Sequence, residues 1–318
     1  MKVLSKDVYN RIRRHVYLYA RHLDVVRWRY HFEGGGADDV ADALSFYQNE
    51  DGGFGRGVEP DCQNPNSQPI QYFWGAAGIL EEIGLDRPDS PMMKKFLNYI
   101  ENCPDITDRG IRAQIPSNND YPCNFWYLYQ PEKAPPECNI NSGVGFIFGH
   151  FPADSRIYQK ALNIAGYRLS VMRETLAARL DGSDDIWQGL EPSDYASLIH
   201  SLDKHRIKTA PECRALYNQL LEIVKEFGSD QIYETTAKKI DNIDAGQSGR
   251  ALAPDELDAI IDKLCDGERL WNNGARLREG EDNSKKFAAV YNVGMWWVIT
   301  DAINDLKILK SHGRLAYE

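Results

Sequence analysis

Four times along the 318-residue chain, a loop carrying glycine or asparagine, aromatics and acids runs into a stretch of small and aromatic side chains at helical spacing. Asp51-Gly-Gly-Phe-Gly55 leads through Glu59-Pro-Asp61 to Tyr72, Phe73, Trp74, Gly75, Ala76, Ala77 and Gly78. Asn118-Asn-Asp-Tyr-Pro122 leads through Phe125 and Trp126 to Gly143, Gly145, Phe146, Phe148 and Gly149. Asp184-Asp-Ile-Trp187 leads through Glu191 and Pro192 to Tyr195 and Ala196, and Trp271-Asn-Asn-Gly274 leads to Ala288, Ala289, Tyr291, Gly294, Trp296 and Trp297. Such a unit reads as a helical hairpin whose second helix uses small residues to approach its neighbours closely, and hairpins of that kind stack side by side. The helix starts near Ser67, Asn141, Ser193 and Ser284 are unevenly spaced, so the repeat is degenerate.

The rest of the chain is patterned the same way. Tyr9, Ile12, Val16, Tyr19, Leu23, Val26 and Tyr30 recur at intervals of three and four, which predicts one long helix over Ser5 to Phe32, ended by Gly34, Gly35 and Gly36. Further helices are expected over Ala37 to Gln48, Ser67 to Ile83, Pro91 to Asn102, Ile140 to His150, Ser155 to Arg179, Ser193 to His205, Pro211 to Phe227, Pro254 to Leu264 and Ser284 to Leu309. Strand signals are confined to a short ribbon at Gly110 to Ile115. The expected class is therefore all-α, with minor β at most. No linker interrupts the pattern, so one domain over 1–318 is expected, with a polar excursion at 228–253.

Charge and composition narrow the function. A net charge of −10 argues against a nucleic-acid partner, because phosphate binding needs a basic surface. No run reaches the 18 or so apolar residues of a transmembrane helix, and the basic N-terminus lacks the apolar core of a secretory signal. The six cysteines, Cys62, Cys103, Cys123, Cys138, Cys213 and Cys265, are widely spread and read as free thiols of a reducing, cytoplasmic compartment. No Cys-x-x-Cys or His-Glu-x-x-His occurs, and His200 and His205 stand about 140° apart on a helix, so no metal site is expected. A cofactor is not expected either.

The run Ala43 to Gln48 followed by Asp51-Gly-Gly-Phe-Gly55 resembles the Gln-x-x-Asp-Gly-Gly-Phe repeats of squalene cyclases and protein prenyltransferase β subunits. It is also similar to bacterial prenyltransferase-like proteins through Glu59-Pro-Asp61, Asn64-Pro-Asn-Ser67, Pro69-Ile70, Pro116 to Pro122 and Leu309 to Arg314. The resemblance covers Arg27 to Gly84 well and the remainder only in patches. It implies an α/α toroid, two concentric rings of helices around a central cavity. In the repeat itself, Gln48, Gly52, Gly53 and Phe54 read as structural: an amide for loose backbone groups, glycines for the turn and an aromatic lid over it.

The chain departs from that family where catalysis is concerned. It has no Asp-x-Asp-Asp to protonate an alkene, and Asp61-Cys62 is adjacent where the zinc enzymes separate Asp and Cys by one residue. Asp38-Asp39-Val-Ala-Asp42 matches a diphosphate-binding motif in letters, but acids at the start of a helix favour its dipole and read as an exposed first turn. Asp181 to Asp185 reads as a solvated loop.

The remaining acids precede helices, where they either cap or catalyse. Glu59, Asp61, Asp120, Glu191 and Asp194 are the candidate catalytic carboxyls, and Tyr72, Trp74, Trp126, Trp187, Tyr195 and Trp296 the candidate substrate-binding aromatics. The resemblance implies a prenyltransferase-like or terpene-cyclase-like enzyme acting on an apolar isoprenoid by acid-assisted carbocation chemistry. Paired carboxylates on an α/α barrel also suit a glycosidase or polysaccharide lyase, and a toroid without chemistry would serve as a binding scaffold.

Overall fold

A computed structural model describes residues 1–132, 137–138, 143–180, 192, 195–196, 211–244, 252–266 and 293–316. The protein is mostly helical, with one two-stranded antiparallel ribbon that pairs Ile111–Arg112 with Glu137–Cys138. The chain divides into two compact units, one of Met1–Met92, Ile115–Tyr129 and Ala251–Glu318, the other of Met93–Gln114 and Gln130–Arg250.

The first unit ties the two ends of the chain together. Leu4 forms a parallel bridge with Leu315, with Leu4 N–H donating to Arg314 O at 2.8 Å and Ala316 N–H to Leu4 O at 3.0 Å. The buried Arg314 guanidinium donates to the Lys2 carbonyl, to Pro254 O at 3.1 Å and to Asp258 Oδ1 at 3.0 Å. Helix Lys6–Tyr19 opens on a Ser5 cap and buries Tyr9, Ile12 and Val16. Those side chains meet Leu257, Ile261 and Leu264 of helix Pro254–Cys265 and Ile303, Leu306 and Leu309 of helix Val293–Ser311 in one apolar core. Burial of such side chains is the main favourable term holding the helices together, about 1.5–3 kcal/mol for each large one.

The long first helix expected from the sequence is broken in two. Ala20 and Arg21 are extended, with ψ of 156° and 154°, between Lys6–Tyr19 and His22–Phe32. No glycine or proline marks the break. Arg21 instead turns out of the helical path to bond Asp24 at 2.7 Å and the carbonyls of Gly57 at 2.6 Å and Val58 at 3.2 Å, so a tertiary contact overrides the periodicity.

Helix Ala37–Ser45 carries Asp38 and Asp39 exposed in its first turn, as the dipole argument expects. The Gly-rich loop after it folds back as a tight turn. Gln48 Nε2 donates to Gly52 O at 2.9 Å and Met92 O at 3.0 Å, while Asp51 Oδ1 accepts from Gly53 N–H at 2.9 Å and Ser67 Oγ at 2.6 Å. Gly52, at φ 91°, takes a conformation that side chains resist. Phe54 is fully buried over the turn, its ring 5.9 Å from that of Tyr72. The helix that follows contains a π-helical turn, Tyr72–Ala76, between the α-helical Pro69–Gln71 and Ala77–Glu82.

In the second unit, helix Arg156–Leu180 packs against Gly143–His150 and Pro211–Phe227, and Pro211–Phe227 against Asp230–Asp244. Its core includes Phe96, Phe146, Ile147, Tyr158, Tyr217 and Leu220. The segment read as a polar excursion contains helix Asp230–Asp244, which turns a narrow stripe inward through Thr236 and Ile240. Two inward positions four residues apart are too few to show as a periodic pattern in a sequence. No helix among the described residues is long and apolar enough to cross a membrane.

Candidate functional site

The loop from Gly55 to Asn66 brings Glu59 and Asp61 into the interior of the first unit, 2% and 6% exposed. It is held there from three sides. Arg21 clamps the carbonyls of Gly57 and Val58. Gln71, on the helix behind, accepts from Glu59 N–H at 3.0 Å and donates to Cys62 O at 2.8 Å. Gly75, within the π-helical turn, lets the loop backbone press close: a Cβ there would stand 2.8 Å from Glu59 N and 2.9 Å from Val58 C. π-Helical turns are uncommon and recur at functional sites, where they re-aim side chains of an otherwise regular helix.

The turn 115–129 lies across this loop. Gln63 N–H donates to Pro122 O at 2.9 Å and Asn124 N–H to Asp61 O at 2.8 Å. Buried Asn118 accepts from Asn64 Nδ2 at 2.8 Å and donates to Tyr127 O at 2.9 Å. That network delivers the fully buried Tyr127 to Glu59.

The two carboxyls differ in their support. Asp61 Oδ1 accepts from the indole Nε1 of Trp297 at 2.8 Å. Glu59 Oε2 and the Tyr127 hydroxyl are buried beside one another without a hydrogen bond of good geometry. Burial raises the Glu59 carboxyl well above the usual carboxylate range and the neighbouring Asp61 raises it further, with Tyr127 and Arg21 only partly opposing. Burial and the same carboxyls push the Tyr127 hydroxyl up as well. Glu59 is thus a carboxyl whose surroundings favour its protonated form, next to a second carboxyl that accepts a hydrogen bond from an indole.

Aromatic rings extend outward from Tyr127. Trp74, 42% exposed, has its ring centroid 6.0 Å from that of Tyr127, and Trp126, 36% exposed, has its own 6.2 Å from it. Trp296 carries the Arg21 guanidinium 5.5 Å from its ring. Of the expected residues in the first unit, the structure thus brings Glu59, Asp61, Trp74 and Trp126 to Tyr127 and sets Trp296 against Arg21.

No protein-family model, no curated protein and no solved structure matches the chain. The likeness at Gln48 to Gly55 rests on the motif residues themselves.

The other expected residues do not join this group. Asp120 is exposed at the end of the 3-10 turn Pro116–Asp120, and Asn118 of that turn is the one that reaches inward. Tyr72 is a core side chain against Phe54 and Phe73. Tyr195 belongs to the second unit, fully buried with its hydroxyl donating to Ala165 O at 3.0 Å. Glu191, Asp194 and Trp187 lie outside the described residues. Among the described residues, no group of three or more His, Cys, Asp or Glu side chains could hold a metal ion.

The sequence reading missed Tyr127, Trp297, Arg21, Gln71 and Asn118. Tyr127 carried a signal, since it follows Trp126 directly. Trp297 is 236 residues from Asp61, and nothing local pairs them.

Proposed function

We propose that the protein is an acid–base enzyme acting on an uncharged small molecule, with Glu59 as the general acid and Asp61 as its carboxylate partner. The observation that carries this reading is the raised, imperfectly partnered Glu59 carboxyl facing Tyr127 beside exposed Trp74 and Trp126. A carboxylic acid with an elevated pKa is a weak acid, so it suits proton delivery to an oxygen whose bond to carbon is breaking better than protonation of an alkene. The substrate class is that of the family the Gln48 to Gly55 motif resembles: an apolar isoprenoid, here one bearing an epoxide or an oxygen leaving group. Asp61, Trp74 and Trp126 would then shield the developing cation. The same reading carries with it the paired-helix toroid that the Gln48 to Gly55 motif implies.

One observation favours a second substrate class. Trp74 and Trp126 are open to solvent, as stacking platforms for sugars are, and a protonated glutamate beside a second carboxylate is the arrangement of a glycosidase.

Turnover of isoprenoid-epoxide and oligosaccharide panels by the parent, Glu59→Gln and Asp61→Asn tests both readings. Loss of general-acid catalysis lowers kcat by about 10²–10⁴ in Glu59→Gln. Turnover of neither panel by the parent, or full activity in Glu59→Gln, overturns the proposal.

A further inference from the structure

The Gly55 to Asn66 loop and the 115–129 turn meet at a single antiparallel bridge, and the two residues facing each other across it are both cysteines, Cys62 and Cys123. The hydrogen bonds that flank the bridge, Gln63 N–H to Pro122 O and Asn124 N–H to Asp61 O, belong to the neighbours of the pair. That pattern defines a non-hydrogen-bonded position, where facing Cα atoms stand about 4.5 Å apart and side chains come closest. A disulfide spans Cα separations of about 4.4–6.8 Å. The side chains share one neighbour: Cys62 Sγ lies 3.6 Å from Asn118 Oδ1 and Cys123 Sγ 3.4 Å from Asn118 O. Both cysteines are reduced and buried.

We propose that Cys62 and Cys123 form a redox pair, a dithiol in reducing surroundings and a disulfide in oxidising ones, whose closure staples the Glu59 and Asp61 loop to the turn that carries Tyr127. The oxidant is a small-molecule disulfide such as oxidised glutathione. One cysteine thiolate attacks it and releases one molecule of glutathione. The second cysteine then attacks the protein-bound sulfur and releases another, so two hydrogens pass from the protein to the two thiols formed. Burial raises the Cys62 thiol, which makes exchange slow in the folded protein and quick once the loop opens. Elsewhere, Cys103 is buried against the Tyr99 hydroxyl, and Cys265 is exposed.

The full chain is unfolded in urea and refolded in a glutathione redox mixture. It is then blocked with iodoacetamide without reduction, digested and weighed. The expected product is the Cys62 peptide joined to the Cys123 peptide, lighter by two hydrogens than their sum, with Cys103 alkylated. The linked chain melts about 5 °C or more above its reduced form, because the bond closes a long loop without strain. Alkylation of both residues, or their capture by other cysteines, overturns the proposal. So does a linked chain that melts no higher than the reduced one, since the thiols would then not be placed for the bond. Cys123→Ser serves as the control that yields neither the linked peptide nor the shift.

Discussion

Glu59 and Glu82 are both buried glutamates of the first unit, and their surroundings drive them in opposite directions. Glu82, at the end of the 69–82 helix, receives Arg27 Nε at 2.9 Å and Arg27 Nη2 at 2.7 Å on its two oxygens, with Lys307 Nζ at 2.5 Å. His31 Nε2 stands 3.2 Å away. Burial alone would raise this carboxyl, but His31, Arg27 and Lys307 more than offset it and hold it well below the usual range. Glu59 is buried more deeply, with a second carboxyl and a phenol for company, and is pushed toward its protonated form. Charge on a buried carboxyl therefore follows from what surrounds it, and here one glutamate fastens helices while the other is pushed toward its neutral form.

Breaking the Glu82 side of the comparison has the largest expected effect. Glu82→Ala leaves the buried Arg27 guanidinium with only Asp24 and frees Lys307 of the C-terminal helix. Removing one partner of a buried ion pair costs about 3–5 kcal/mol, read as a fall in the urea midpoint at pH 7. The sign with pH follows from the lowered pKa. The stabilisation is present above the carboxylate's unfolded value of about 4.3 and is lost as pH falls below it, so parent and variant converge in acid. A gap that stays constant down to pH 3 breaks the assignment.

A smaller effect comes from the packing that brings Glu59 inward. Gly75→Ala puts a Cβ against Glu59 N and Val58 C, backbone that cannot swing aside. Overpacking of this kind costs about 1–3 kcal/mol. Gly78, three residues further on, is exposed and has nothing within 4 Å of its Cβ position, so Gly78→Ala stabilises by up to about 1 kcal/mol through helix propensity. Thermal unfolding of the two variants separates them by opposite signs, and equal shifts would show that the loop does not rest on the π-helical turn.

Part of this was legible in the chain. The helices with periodic apolar faces, such as Pro91–Asn102, Pro211–Phe227 and Pro254–Cys265, lie where the spacing puts them. Glu59 and Asp61 stand out as acids in a proline-bounded loop before a helix, a local signal. What the sequence hides is pairing at a distance. Nothing near Glu82 announces Arg27 and Lys307, nothing near Asp61 announces Trp297, and Asp120 draws attention as an acid while the amide of Asn118 makes the contacts. The break at Ala20 and Arg21 is hidden for the same reason, since its cause lies at Gly57 and Val58.

The smallest effect sharpens the comparison most. Glu59→Gln keeps the shape of the side chain and removes its titration. At pH 4 the parent carboxyl is mostly protonated in both folded and unfolded states, so the two proteins should differ least there, by about 0.5 kcal/mol. As pH rises past about 4.3 the unfolded parent ionises while its folded form keeps the proton, which favours unfolding of the parent alone. The variant should therefore gain on the parent between pH 4 and pH 7, the reverse of the trend at Glu82, where the parent gains on its variant over the same range. Urea midpoints of the parent, Glu59→Gln and Glu82→Ala across that window give three curves. If the Glu59→Gln and parent curves run parallel, Glu59 ionises in the folded protein as readily as in water, and the distinction between the fastening glutamate and the one held toward neutrality disappears.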